Sequence, residues 1–370
     1  MKKFVYFDAA ASWLKPQSVI ESEIDFLANK YANAGRGICS RAEGVDMLIS
    51  GARHTVADFI GANVENIVWT SGTTDAFNRI VNIIKNTISN KCPMVAVSDL
   101  DHHSARLPFE MLAQKGECQI TNIPLNDDLN IDIEHMPKAD IYVITAMSNV
   151  LGISQDIIAI TQTIRTINQD AIIIVDVAQY VVHNRIDVKK FDCDFLCFSG
   201  HKIGADTGIG VLYIKKPDVW NVDKFGGGMV NRIISPENIV LNQSPEKFEA
   251  GTLPLTQIIG LPYAVKYLSN WNGGHDLIEY MYDELSNLDN VKIITKRDAC
   301  MLSFIVKNMH VLDFGAMLGT RDICVRVGNM CASWIHKYLN IDGSIRISVG
   351  PWNTMDDARY VVDVIKDLVK

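Results

Sequence analysis

Short, nearly unbroken apolar runs recur along the first half of the chain and alternate with stretches of helical period. Ile67–Thr70, Met94–Ser98, Ile141–Ala146, Ala171–Val175 and Phe195–Phe198 are rich in β-branched and aromatic residues. Runs of this length predict strands buried on both faces. Between two of them, Asp156–Asn168 sets Ile157, Ile160, Ile164 and Ile167 on one helical face, and Val45–Ile60 also reads as a helix. The alternation predicts an α/β fold, a mostly parallel central sheet sandwiched by helices. Near the start, Phe4–Phe7 predicts a short strand. Pro16 opens a helix with Ile20, Ile24, Leu27 and Tyr31 as its apolar face. Asn33–Glu43, Gly-rich and polar, reads as a loop. After about Ile259 the pattern changes. A helix at Leu261–Leu268, strands at Leu302–Val306 and Ser344–Ser348, and a final helix predict a smaller α+β domain. Thr354 and Asp357 cap that last helix, whose apolar face is Ala358, Val361, Val362, Ile365 and Leu368. The expected division is 16–258 for a large domain, with 1–15 and 259–370 forming the small one.

Composition narrows the class. With 370 residues, 48% hydrophobic and 21% charged, the chain suits a soluble enzyme of two domains. A net charge of −8 argues against nucleic acid or an anionic membrane as the main partner. No apolar run is long enough to span a bilayer. Met-Lys-Lys passes directly into Phe-Val-Tyr-Phe-Asp, so no signal peptide is expected. Eight cysteines occur without C-x-x-C pairs or metal spacing, which fits reduced thiols in a cytoplasmic protein and no metal site. No G-x-G-x-x-G or P-loop follows an early strand, which argues against a nucleotide-binding protein.

The chemistry gathers where strands end. Ala171–Val175 delivers Asp176, Ala178 and Gln179, and Phe195–Phe198 delivers Ser199, His201 and Lys202. Ligands of open α/β sheets sit at such carboxyl ends. An acid at one strand end and a lysine at another suit pyridoxal 5′-phosphate (PLP). The amine can form a Schiff base with the aldehyde, and the acid can keep the pyridine nitrogen protonated so that the ring is an electron sink. SGTTDAFN (Ser71–Asn78) places small and hydroxyl residues at a strand-to-helix junction, which suits a phosphate as well as a plain helix cap.

VDVAQ, then FSGHK, then TGIGVLYIKK resemble the class V aminotransferase group of fold type I PLP enzymes, and most closely the cysteine desulfurases. The likeness runs from about Phe7 to the C-terminus. It implies roles residue by residue. Lys202 is the Schiff-base lysine, Asp176 pairs with the pyridine nitrogen, and Gln179 hydrogen-bonds the phenolic oxygen. Ala178 packs on one ring face and His102, of DLDHHSA, stacks on the other and can move protons. Thr74, with Thr73 beside it, Ser199 and His201 hold the phosphate. Asn149, of MSNVLG, contacts cofactor and substrate. FGGGMV and FEAGT resemble two further landmarks, and Thr252 would reach the neighbouring subunit's phosphate. The resemblance therefore implies a homodimer with shared sites. Here Leu253-Pro254 follows, where the family has Pro-Asn. NAGRGICS resembles a segment at the substrate entrance: Arg36 matches its arginine, and Cys39 stands in place of a histidine.

RVGNMCAS followed by SIRIS resembles the group II desulfurases, whose catalytic-cysteine loop is short. On this likeness Cys331 is the catalytic thiol and Arg346, 15 positions on, clamps the substrate carboxylate. Asn329 and Met330 occupy positions where many relatives carry histidine. The implied reaction turns L-cysteine into L-alanine through a persulfide on Cys331, which a sulfur-acceptor protein or a reductant then discharges. A selenocysteine lyase, or another C–S lyase or aminotransferase of the same fold, is the alternative. A catalytically silent scaffold would have no need of both Lys202 and Cys331.

Overall fold

A computed structural model describes residues 4–35, 37–90 and 92–370. After a short strand β1 (Val5–Tyr6), helices α1 (Gln17–Asp25) and α2 (Ser40–Ile60) lead into the main sheet. Its strands are β2 (Ile67–Thr70), β3 (Met94–Ser98), β4 (Gln119–Ile123), β5 (Ile141–Thr145), β6 (Ile172–Asp176), β7 (Phe195–Ser199) and β8 (Gly210–Ile214). The order is β2-β8-β7-β6-β5-β3-β4. All pairings are parallel except those of β8, which runs against both neighbours. Crossover helices α3 (Thr73–Thr87), α4 (His103–Gln114) and α5 (Ile157–Ile167) cover the faces, and α6 (Tyr180–His183) and α7 (Val188–Phe191) are single turns. Two apolar cores, one on each side of the sheet, bury alternate residues of every strand except the edge strand β4, of which only Ile123 is buried.

A separate hairpin, β9 (Val230–Ser235) and β10 (Asn238–Leu241), precedes the long helix α8 (Leu255–Leu268). The remaining elements are α9 (His275–Ser286), β11 (Val291–Ile293), β12 (Leu302–Val306), α10 (Val311–Gly319), β13 (Ile323–Cys324), β14 (Arg326–Gly328), α11 (Ser333–Tyr338), β15 (Ser344–Ile347) and α12 (Met355–Leu368). They form a four-stranded antiparallel sheet, β11-β12-β15-β14, with its own core. β1 pairs with β13, so the N-terminus joins this second body. The capping box of Thr354 and Asp357 is present, and Ala358, Val361, Val362 and Ile365 are buried.

Three expectations need correction. The apolar stripe Ile20, Ile24, Leu27 and Tyr31 is exposed, with Ile24 at 60%. α1 passes into a π-turn at Phe26–Lys30, which changes the period, and Val19 and Phe26 are the residues that reach the core. The Asn33–Glu43 loop is shorter than expected, because α2 begins at Ser40 rather than Val45. The helix expected at Leu261 begins at Leu255 and packs on α1 and α2, burying Ile258, Leu261 and Ala264 in a core of the main sheet. The expected boundary at 258 falls within this helix.

Candidate active site

A cavity of about 450 Å³ opens at the carboxyl ends of the parallel strands, where the second body meets the main sheet. Twelve residues expected at the site line it. β2 and α3 bring Thr73 and Thr74; the start of α4 brings His102; the turn after β5 brings Asn149. β6 ends at Asp176, with Ala178 and Gln179 beyond it. β7 and the turn after it supply Ser199, His201 and Lys202, and the second body supplies Cys331 and Arg346. The lining also includes Ala10, Ala11, Ser104, Thr145, Met147, Arg326 and Val327, to which the sequence reading assigned no role.

The α3 end is tightly built. Gly72 has φ +144° and precedes the helix, and a Cβ on Gly210 would lie 2.5 Å from the Gly72 Cα. Only glycine lets β8 pass so close beneath this turn. Ser199 Oγ accepts a hydrogen bond from Thr73 N at 2.8 Å and lies 2.8 Å from Thr73 Oγ1. The first turn of a fifteen-residue helix thus faces the cavity beside two threonines and His201.

The floor is buried and charged. Asp176 is fully buried, which raises its carboxyl pKa, and its Oδ1 accepts from Ala178 N at 2.8 Å. Burial lowers the Lys202 amine to about 8, against the opposing pull of Asp176. Burial, and then the charge of Lys202, lowers His102 to about 3, so its ring is neutral; its Nδ1 caps α4 by accepting from Ser104 N at 3.1 Å. Gln179 donates from Nε2 to Ala10 O at 2.7 Å, and its buried Oε1 has no partner among the described residues. The open atom is an acceptor, so toward a phenol it would receive a hydrogen bond from the O–H. A helix N-terminus, a buried acid, an orphaned acceptor and an amine of lowered pKa form a lining that fits the phosphate, ring nitrogen, hydroxyl and aldehyde of PLP.

The opposite wall is the Cys331 loop. Its thiol is exposed, and both Met330 (φ +50°) and Cys331 (φ +55°) have left-handed backbone. Side-chain-bearing residues rarely hold that conformation. Two hydrogen bonds from the main body pin it: Asn149 Nδ2 donates to Met330 O at 2.8 Å, and His103 N donates to Cys331 O at 2.7 Å. His103 Nε2 also accepts from Ser333 N at 3.2 Å. His103, the neighbour of His102 in the sequence, therefore holds the thiol loop.

Two expected residues are not in this cavity. Thr252 lines a second, larger one of about 1090 Å³ with Arg53, Gly228 and Leu253. Arg36 lies outside the described residues, although its neighbours Gly35 and Gly37 line that second cavity. Cys39 is exposed just before α2. No cluster of three or more potential metal ligands occurs among the described residues.

This fold and site define the class: the chain belongs to the class-V aminotransferase family, whose model matches residues 5–361. Its curated relatives in that family are cysteine desulfurases. It is 31% identical to a probable cysteine desulfurase of Vibrio cholerae, over 99% of this chain and 93% of the relative. It is 32% identical to the cysteine desulfurase of Escherichia coli O8, over 96% of this chain and 91% of the relative. Among solved structures, the apo cysteine desulfurase of Thermococcus onnurineus NA1 superposes with a TM-score of 0.93 at 30% identity, covering 99% of this chain and 94% of that one.

Proposed function

We propose that the protein is a PLP-dependent cysteine desulfurase that converts L-cysteine to L-alanine and carries the sulfur as a persulfide on Cys331 for a sulfur acceptor. The observation that carries this reading is the exposed Cys331 thiol on the wall of the same cavity as the Lys202 amine. Transamination has no step for such a thiol.

When bound, the cofactor supplies an aldehyde for the substrate amine and a protonated ring that takes up negative charge from Cα. Asp176 would hold the proton at the ring nitrogen. Thr73, Thr74, Ser199 and His201 would hold the phosphate with the α3 terminus, and His102 and Ala178 would flank the ring. Arg346 binds the substrate carboxylate, and Asn149 orients the substrate beside it. Lys202 Nζ takes the Cα proton; the burial that lowers its pKa to about 8 keeps part of it neutral near pH 7. The Cys331 thiolate attacks the substrate sulfur. An S–S bond forms as the substrate Cβ–S bond breaks, the electron pair stays with the carbon skeleton, and protonation gives alanine.

Homodimerisation completes the reading. Thr252, away from the chain's own cavity, would close the neighbouring subunit's site. Exposed Ile24, Leu27 and Tyr31, with Tyr263 of the adjacent α8, supply an apolar face for the partner copy. Free cysteines fit a reducing cytoplasm. None of the described helices is long and apolar enough to cross a membrane.

The test is alanine release from L-cysteine by PLP-loaded protein with excess thiol reductant, for wild type and Cys331→Ala. Release abolished in the variant, with the cofactor's visible band intact, supports the desulfurase. Equal release from both points to another lyase. Release from neither directs the assay to selenocysteine.

A further inference from the structure

One contact behind the cavity lining lies a second buried acid, which the reaction described above does not use. Asp101 stands between β3 and α4, just before His102, and is 0% exposed. Its Oδ2 accepts from Ser98 N at 2.8 Å. Its Oδ1 accepts from Thr145 Oγ1 at 2.7 Å and from Ser98 Oγ at 3.3 Å. Burial pushes its carboxyl up to about 7, against the hydrogen bonds from Ser98 and Thr145 and the charge of Arg106 on α4; the charge of Asp176 adds to the rise. Above that pH Asp101 is a carboxylate, which can only accept.

Thr145 carries this outward. It closes β5, lines the cavity, and is the direct register partner of Asp176 on parallel β6. Partners in such a pair project to the same face of the sheet, so the hydroxyl and the Asp176 carboxylate stand side by side. A hydroxyl has one proton and two lone pairs. The Thr145 proton is committed to Asp101, so toward the cavity this hydroxyl can only accept. The backbone donor beside it, Ala178 N, is likewise committed, to Asp176 Oδ1 at 2.8 Å. Thr145 and Asp176 thus offer acceptors and no donor, which suits an N–H and not a bare ring nitrogen.

We propose that Asp101 is a positioning residue: by taking the Thr145 proton it fixes that hydroxyl as an acceptor beside Asp176, and so favours a cofactor whose ring nitrogen carries a proton. Asp101 is not itself on the cavity lining. The inference rests on the reading that Asp176 faces the ring nitrogen of PLP.

Asp101→Asn reverses the polarity. Ser98 N requires the amide oxygen, so the amide nitrogen faces Thr145 and donates to it, freeing the hydroxyl proton for Asp176. The measurement is the nitrogen-15 shift of ring-labelled PLP loaded on the protein, followed from about pH 8 upward, where Asp101 is ionised. In Asp101→Asn the proton affinity of the ring nitrogen should fall about tenfold. In a Thr145→Val background the same substitution should retain no more than about twofold of that fall, which a general disturbance of the fold would not produce. An unchanged affinity in Asp101→Asn, or an equal fall with Val at 145, would overturn the proposal. Should Asp101→Asn not fold, position 145 decides: Thr145→Ser should match wild type and Thr145→Val should lose affinity about threefold or more, and a valine variant equal to wild type contradicts the account. Failure of wild type to form the lysine-bound visible band with PLP would overturn the cofactor reading and this proposal with it; the band with an unmoved nitrogen shift overturns this proposal alone.

Discussion

The two walls of the cavity prepare their reactive groups by opposite means. Lys202 sits on the floor, half-buried in the turn after β7, and desolvation of its amine lowers its pKa to about 8. Cys331 sits on a loop of the second body, exposed, with its position set by backbone. Two consecutive left-handed residues are retained there because Asn149 and His103 hold their carbonyls. The floor tunes a proton affinity through solvent exclusion; the loop fixes a location and leaves the thiol reachable. A group that must move a proton within a closed site gains from burial. One that must pass sulfur to another protein cannot be buried.

Substitutions separate these designs. The largest effects come from the reacting groups: Lys202→Ala and Cys331→Ala should each lower alanine release by at least about 10³-fold. Only Lys202→Ala should also remove the lysine-bound cofactor band, which absorbance spectra check. Next is pH. A lysine pKa depressed from 10.5 to about 8 means the folded protein holds Lys202 neutral above about pH 8, whereas the unfolded chain protonates it up to its ordinary pKa. PLP uptake by cofactor-free protein, which needs the neutral amine, should therefore rise about tenfold per pH unit below 8 and level off above it. Stopped-flow absorbance reads this, and a plateau reached only above pH 10 would refute the floor's tuning. The same sign makes this residue's contribution to stability increase with pH between about 8 and 10.5, because there the unfolded state binds the extra proton.

Releasing the loop should cost less. Asn149→Ala removes one of its two ties and should slow persulfide formation roughly tenfold, with the cofactor band retained, since a hydrogen bond of this kind is worth about 1 kcal/mol. The smallest effect is Met330→Gly. It relieves a left-handed side-chain-bearing residue and should stabilise the protein by about 1 kcal/mol or less in denaturant unfolding while slowing sulfur transfer a few-fold. Faster transfer in this variant would mean that the strained turn does not position the thiol.

The floor was far more legible in the sequence than the loop. Each strand delivers its polar residues at its own end, so local pattern puts Asp176, Gln179, Ser199 and Lys202 at strand ends, while their roles came from the family resemblance, and β6 and β7 lie within a residue of the expected runs. The antiparallel course of β8 carries no such signal, because a buried strand looks the same in either direction. The ties of the loop depend on contacts such as Asn149 to Met330, 181 positions apart, which no periodicity encodes. The helix α1 misled for another reason. The stripe Ile24, Leu27 and Tyr31 is apolar but exposed, and sequence pattern cannot distinguish an apolar face that packs in the core from one left at the surface.

The most direct test of the account is the mass of the Cys331-bearing peptide after the PLP-loaded protein is exposed to L-cysteine without reductant. The account predicts one additional sulfur atom on that peptide, formed together with alanine and absent in Lys202→Ala. Alanine formed with the extra sulfur on Cys39, or on no cysteine at all, would contradict it.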